Sequence, residues 1–470
     1  MKYAYLVVAI FAARFFSTAI AYPQADGDLA WQRWLGDVIL RTGRIPRRLG
    51  SETFSAPGAT WTPQEWLFSI GAAVSHGALW PLFAGTIALC ATVALLISAK
   101  RAELRGASPL AVALGTGFAA VAILESFGVR AQVAAWPFVV GFLALIEIEG
   151  PWAYLAIPLA EAWSNVHASA MLAPALAAVW AAGSFLDEGF SPRVRRSAII
   201  AVASLVAVCL NPFGVGLPLY AIGLFASPFK SMITEWKHTD IGDASFAYGS
   251  MPLLLAAAAF GVRGAGKWRD RFLLVAIALL MFGAARNVGI FALAVMPIVA
   301  AALTREVPFF APPKIEAETR IDRIAAKALP AFSLVLAILV TVGLLQSTER
   351  EQSNQPDAAI AAIATLPGPH RVFCADFAWC SFIIEKGTGS VFLDGRADPY
   401  PMGVWNDFSR VVHLKPNWRK RLDAMHVTTV LVADDAPLAA GLTLAPDWHN
   451  VYHDKKYDLF ARRGLTVSSR

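Results

Sequence analysis

The sequence predicts a polytopic α-helical membrane protein of about 11 transmembrane helices, with a small C-terminal α/β domain outside the bilayer. Three observations predict it. Of 470 residues, 57% are apolar and 16% charged, with a mean hydropathy of +0.53. An ordinary soluble chain carries about 25% charge, and this one has too little polar surface to cover itself in water. Apolar runs near the ~20 residues that cross ~30 Å of hydrocarbon recur along the chain. From about residue 347 the composition turns polar, and no later run is long enough to span. A soluble enzyme, a disordered chain and a collagen-like fibre are thereby excluded.

The expected spans are 3–22, 79–98, 107–125, 131–148, 151–164, 168–186, 197–211, 249–262, 271–285, 288–304 and 328–346. The run 215–227 is short and marked by Pro and Gly, and reads as a segment lying along the membrane surface. Lys2 and an apolar run ending in Ala19-Ile20-Ala21 resemble a signal peptide, but Arg14 interrupts the run and an uncleaved first span is expected. Arg14 itself must find a partner, with Glu125 and Glu161 as candidates.

The net charge of +6 reads as orientation rather than nucleic-acid binding, because the basic residues collect in alternate loops. With the N-terminus in the cytoplasm, the inner loops carry Lys100, Arg101 and Arg105; Arg193, Arg195 and Arg196; Arg263, Lys267, Arg269 and Arg271; and Arg305, Lys314, Arg320, Arg323 and Lys327. The loop 23–78 then lies outside, although it holds Arg33, Arg41, Arg44, Arg47 and Arg48. Those arginines suit an amphipathic interfacial helix on anionic lipid, or an approach lined for lipid phosphates. The domains drawn are 1–346, membrane part including the loop 23–78, and 347–470, an extracytoplasmic α/β domain of an inner-membrane protein.

In the tail, strands are expected at 371–374, 389–394, 428–433, 450–454 and 457–462, and helices at 376–386 and 416–426. Cys374 and Cys380 suit a disulfide in an oxidising compartment, or two free buried thiols.

Polar groups at membrane depth mark sites, and on this topology they gather at the outer ends of the spans. Asp26 and Asp28 follow the first span, and Glu65 precedes the second. Glu125 and Arg130 bracket a turn; Glu161, Asn165 and His167 lie between spans; Asn211, Glu235 and Arg286 complete the set. Arg130 could pair with Glu125, and Asn211 before Pro212 reads as a helix stop. In the tail, Asp394-Gly395-Arg396-x-Asp398 follows a strand, where α/β domains bind ligands, though an Asp–Arg pair fixing a turn accounts for it equally. No nucleotide-binding glycine motif occurs.

These residues also carry a likeness. Asp26-Gly27-Asp28-Leu29-Ala30-Trp31, Gly43-Arg44-Ile45-Pro46 and Trp61-x3-Glu65-Trp66-Leu67 resemble the first outer loop of integral-membrane GT-C glycosyltransferases. Arg130-Ala131-Gln132, Trp163-x-Asn165-x-His167, Asn211-Pro212-Phe213-Gly214, Glu235-Trp236, Arg286-Asn287 and Asp394-Gly395-Arg396-Ala397-Asp398-Pro399-Tyr400 extend it over nearly the whole chain. The resemblance implies a GT-C-like fold and an inverting transferase that takes a sugar from a polyprenyl-phosphate donor at the outer face. It implies Asp28 as base for an acceptor not yet named, with Asp26 as a second carboxylate.

Such a transfer needs a carboxylate to take the hydroxyl proton and a cation to meet the departing phosphate. Arg130, His167 and Arg286 are the phosphate candidates, and Asp28 with Glu235 could hold Mg²⁺ or Mn²⁺. Leu29 follows Asp28 where many members carry a second acid. Glu65, Asn165, Asp394, Arg396 and Asp398 are further candidates, and membrane lipids are the other partner. A lipid-linked-sugar transporter and an inactive scaffold of the same fold stand as alternatives, although a transporter would place its charges at the midplane.

Overall fold

The fold is described from a computed structural model, which describes residues 2–21, 26–75, 77–124, 126–227, 231–262, 266–311, 335, 338 and 355–463. Glu125, Arg263, the basic residues at 314–327 and, apart from 335 and 338, the expected span 328–346 lie outside the described residues.

The chain forms two compact units: one of Met1–Ala21 with Trp80–Arg350, and one of Tyr22–Leu79 with Glu351–Arg470. The loop 23–78, drawn with the membrane part from composition, is grouped with the tail, and ionic and β-sheet pairing joins these segments more than 300 residues apart.

The first unit is helical. Its elements are α1 (Lys2–Ala21), α4 (Trp80–Leu104), α5 (Pro109–Leu124), α6 (Ala131–Glu147), α7 (Ala156–Val166), α8 (Leu172–Glu188), α9 (Pro192–Ala207), α10 (Gly216–Ala226), α11 (Met251–Val262), α12 (Trp268–Gly283) and α13 (Val288–Glu306). Tyr3–Ile20, Trp80–Leu104, Ala168–Glu188 and Ala285–Glu306 are long and apolar enough to cross a membrane. Pro109–Leu124, Ala131–Glu147 and Phe246–Phe260 are shorter apolar helices. The run 215–227, expected as a surface segment, is helical over Gly216–Ala226. Arg14 is exposed and has no ion-pair partner among the described residues, Glu161 included; its other candidate partner, Glu125, lies outside them.

One end of this unit is held by ions. Glu147, at the last turn of α6, accepts from Arg101 and from Arg105 at 2.9 Å, and Arg105 reaches Asp270 of α12 at 2.9 Å. Arg101 and Arg105, expected simply as inner-loop charges, are thus the pins that join α4, α6 and α12.

The second unit contains α2 (Gly27–Thr42), α3 (Trp66–Val74) and the tail. The tail holds α14 (Asp357–Thr365), β1 (Arg371–Cys374), α15 (Phe377–Lys386), β2 (Ser390–Val391), α16 (Met402–Val412), α17 (Trp418–Ala424), β3 (Thr429–Ala433), α18 (Pro437–Thr443), β4 (Trp448–His453) and β5 (Tyr457–Arg462). The sheet order is β2-β1-β3-β5-β4, parallel through β3 and antiparallel beyond it. Cys374 and Cys380 form a disulfide across the β1–α15 turn.

Residues 52–55 lie along β2. Val391 N–H donates to Glu52 O at 2.9 Å, and Phe54 N–H donates to Val391 O at 3.1 Å. Behind this edge, Arg396 has no exposed side-chain surface. Its Nε and Nη2 donate to Asp394 at 2.9 and 2.7 Å, and its Nη1 donates to Glu52 at 2.8 Å. Its guanidinium also lies 5.1 Å from the Trp34 ring and 4.9 Å from Trp61. Burial and the Asp394 charge push the Tyr400 hydroxyl well above its ordinary range, so it stays a donor to Asp394. The loop arginines are not all lipid-facing either: Arg33 is buried and pairs with Glu385 of α15 at 3.6 Å.

Removing one partner of a buried ion pair leaves the other uncompensated, at about 3–5 kcal/mol. Arg396→Ala should therefore lower the melting temperature of the detergent-solubilised chain and expose the 50–61 segment to limited proteolysis, while Arg41→Ala, on an exposed helix turn, should do neither.

Candidate functional site

In the first unit, the ends of α6 and α12 opposite to Glu147 and Asp270 carry a second polar cluster. Arg130, the residue before α6, donates from Nη1 to Glu235 Oε1 at 2.7 Å. Glu125, the partner weighed for Arg130 from sequence, lies outside the described residues. Glu235 and Trp236 sit on a helical turn, Thr234–Trp236, beside the turn Ala285–Asn287. Lys237 O accepts from Ala285 N–H at 2.9 Å, which holds the two turns together. The Arg286 guanidinium lies 4.6 Å from the Trp236 ring, a contact available to a planar, weakly hydrated cation. Gln132, one turn into α6, donates to Arg286 O at 2.9 Å.

His167 ends α7 and caps the turn that opens α8. Its Nδ1 accepts from Ser169 N–H at 3.0 Å and lies 2.8 Å from Ser169 Oγ. Trp163 Nε1 donates to that hydroxyl at 3.0 Å. A cleft is lined by His167 and Ser169, by Gln132 and Trp136 of α6, and by Arg286 and Asn287. Burial, with the positive charge of Arg286, lowers the His167 imidazole from its ordinary 6.5 to about 3. Asn165 points its amide elsewhere, donating to Glu161 O at 3.0 Å and Leu210 O at 3.2 Å, and so braces α7 against the turn after α9. Asn211 makes the expected stop, accepting from Phe213 N–H at 2.7 Å.

In the second unit, Asp26 caps α2 by accepting from Asp28 N–H at 3.0 Å, a use that favours helix initiation. Asp28 lies in the first turn, where a negative charge is favoured, and accepts from Trp31 Nε1 at 3.3 Å. Two glycines allow this carboxylate its place. A Cβ on Gly27 would lie 2.6 Å from Ala378 O of α15, and one on Gly395 would lie 3.0 Å from Asp28 Oδ1 and 2.9 Å from Ser381 Oγ. Ser381 Oγ accepts from Gly395 N–H at 3.0 Å and fixes that turn. Glu65 accepts from the amides of Gln32 and, at 2.8 Å, Gln64, tying α2 to α3. Asp394 and Arg396 are spent on the buried clasp, and Asp398 N–H donates to Arg396 O at 2.6 Å in the following turn.

The structure thus brings Arg130, Glu235, Arg286 and His167 together within one unit, and places Asp26, Asp28, Glu65, Asp394, Arg396 and Asp398 in the other. Sequence reasoning missed Glu52 and Ser169. Ser169 could have been found, since a polar side chain two residues before a serine at a helix start is a capping pattern. Glu52 carries no local signal. No group of three His, Cys, Asp or Glu side chains among the described residues is placed to hold a metal ion. Of the pair expected for Mg²⁺ or Mn²⁺, Glu235 accepts from Arg130 in the first unit and Asp28 accepts from Trp31 in the second.

No protein-family model matches this chain, and no curated protein sequence matches it. Solved structures do. ArnT from Cupriavidus metallidurans, bound to undecaprenyl phosphate, aligns with TM-score 0.53 at 13% identity, covering 99% of this chain and 98% of that one. An oligosaccharyltransferase from Archaeoglobus fulgidus, tethered with an acceptor peptide containing the NVT sequon, gives TM-score 0.57 at 12% identity over 99% and 75%. The arabinofuranosyltransferase AftD from Mycobacteria gives 0.54 at 13% over 97% and 41%. At these identities the likeness is one of fold, and the chain has the fold of the GT-C glycosyltransferases.

The unfolded chain takes up the His167 proton near its ordinary 6.5, while the folded imidazole resists it down to about 3. The unfolded state therefore binds the extra proton between these values, and stability is lost as pH falls through that window. Thermal unfolding of the full chain should show an acid limb below about 6.5 that is shallower in His167→Gln.

Proposed function

We propose that this chain, a membrane protein with the GT-C fold, is a glycosyltransferase that moves a sugar from a polyprenyl-phosphate-linked donor to an extracytoplasmic acceptor, a glycan, lipid or protein. The observation that carries the reading is the convergence of Arg286 on Trp236, Arg130 on Glu235, and His167 and Gln132 around one cleft in such a fold. A structural protein gains little from placing arginines and a buried histidine there. The undecaprenyl phosphate bound to ArnT supports a lipid phosphate as the ligand class.

The acceptor hydroxyl oxygen attacks the anomeric carbon. The bond from that carbon to the phosphate oxygen breaks, its electron pair leaves with the lipid phosphate, and Asp28 takes the hydroxyl proton, with inversion. Arg286 and Arg130 meet the phosphate charge, Arg286 with its guanidinium plane held by Trp236. No step runs through a metal.

The protein is placed in the bacterial inner membrane with about 11 spans, its N-terminus cytoplasmic and its tail domain periplasmic. Two features support that orientation: the Cys374–Cys380 disulfide, which suits an oxidising compartment, and the Arg101–Glu147–Arg105 pins at the ends of α4 and α6 opposite the cleft.

In proteoliposomes with a polyprenyl-phosphate sugar, Asp28→Asn should lower kcat by about 10²–10⁴, the range of a lost general base, with insertion and helicity unchanged. A scaffold would keep its cellular role in that variant, and a transporter would keep its flux. Arg286→Ala should raise the donor KM, and activity should survive EDTA. Gly395→Ala, which crowds the Asp28 carboxylate, should depress kcat while leaving the donor KM in place; equal kcat in wild type and variant would sever the tail from the chemistry.

A further inference from the structure

His167 has two ring nitrogens, and the fold has assigned one of them. Ser169 N–H can only donate, and it points at Nδ1 from 3.0 Å. Trp163 Nε1 can only donate too, and it holds Ser169 Oγ in place at 3.0 Å, 2.8 Å from Nδ1. The backbone contact requires Nδ1 to be an acceptor, so in the neutral ring the proton is on Nε2 and the Ser169 hydroxyl turns its hydrogen to Nδ1. Among the described residues, the charged group that faces the ring is Arg286, from the Ala285–Asn287 turn; the other polar residues lining the cleft, Gln132, Ser169 and Asn287, are neutral.

We propose that Trp163 and Ser169 are positioning residues that lock His167 as the neutral Nε2–H tautomer, making it a fixed hydrogen-bond donor to the phosphate of the lipid donor rather than an acid–base group. The proposal rests on the transferase reading and deepens it. Its chemistry is consistent: a departing phosphate monoester has a second pKa of about 6 and needs no proton to leave. A neutral donor beside Arg286 adds a directional hydrogen bond without placing a second cation against the guanidinium. The spacing Trp163-x5-Ser169 around His167 then has a reason, since one helical end supplies the indole and the next turn supplies the hydroxyl and the amide.

The test is nitrogen NMR of the full chain in lipid bilayers, with ¹⁵N-labelled histidine and the His167 signal identified by its loss in His167→Gln. The expected result is a neutral Nε2–H ring, unchanged from pH 5 to 8. An Nδ1–H ring, or a signal that titrates in that range, overturns the proposal. Kinetics supply the second readout. His167→Ala should raise the donor KM about tenfold or more, and His167→Gln, which keeps an N–H donor near the Nε2 position, should recover most of it. Ser169→Ala should raise the donor KM severalfold with the acceptor KM unchanged. A Gln variant no better than the Ala variant overturns the donor role.

Undecaprenyl phosphate in nanodiscs is the binding probe, with inorganic phosphate beside it. Protection by the lipid alone supports the assignment, and equal protection by inorganic phosphate overturns the lipid part of it. A wild-type protein that binds neither overturns the functional reading itself, whereas an Nδ1–H ring overturns this inference alone.

Discussion

A guanidinium with no exposed surface must be paired, and Arg396 is paired to a residue 344 positions away. That demand decides what the second unit is. Asp394 alone neutralises Arg396 locally, as any short Asp-x-Arg turn would. The third donor reaches Glu52, and the walls are Trp34 and Trp61, all from the first loop. The tail strand β2 takes Glu52 and Phe54 along its edge, so loop and tail share backbone hydrogen bonds as well as charge. The loop is therefore part of the α/β domain, although the sequence inserts it between two apolar helices.

The position of Asp28 follows from this assembly. The first turn of α2 lies against α15 at Gly27 closer than a side chain would permit, and against the Gly395 turn closely enough that a Cβ there would crowd the Asp28 carboxylate. The Asp394-Gly395-Arg396 motif thus serves Asp28 at one remove. Its charged members hold loop and tail together, and its glycine leaves room for the carboxylate. A turn that looks like a ligand-binding loop in sequence is, in the structure, the mould around another residue.

What was legible in the sequence was whatever depends on near neighbours. Helix starts near Trp80 and Ala131, strands at 371–374, 429–433 and 457–462, and the stop at Asn211 all follow from local period and punctuation. The residues Arg130, His167, Glu235 and Arg286 were nameable because a charged or imidazole side chain at a span end is unusual for its surroundings. Partners were not nameable. Arg130 pairs with Glu235, 105 residues further along the chain. Arg33 looks like a lipid-facing charge in a basic helix, yet it is buried against Glu385. In each case the choice is made by which helices pack, and two equally charged candidates look alike in a string of letters. The helices 357–365, 402–412 and 437–443 were also missed, because short helices in a tail rich in polar residues carry little periodic signal.

The two polar ends of the helical unit make the final point. At one end acids outnumber no one: Glu147 and Asp270 are answered by Arg101 and Arg105, and the network closes on itself. At the other, Glu235 answers Arg130, but among the described residues Arg286 is matched by an indole face and a carbonyl-bound glutamine rather than by a carboxylate. A cation supported by an aromatic ring keeps its charge available, where a salt-bridged one has spent it. The same helices therefore carry a structural clamp at one terminus and, at the other, positive charge held ready for an anion. The neutral state of His167 belongs to that arrangement, since the field of Arg286 disfavours a second positive charge in the cleft.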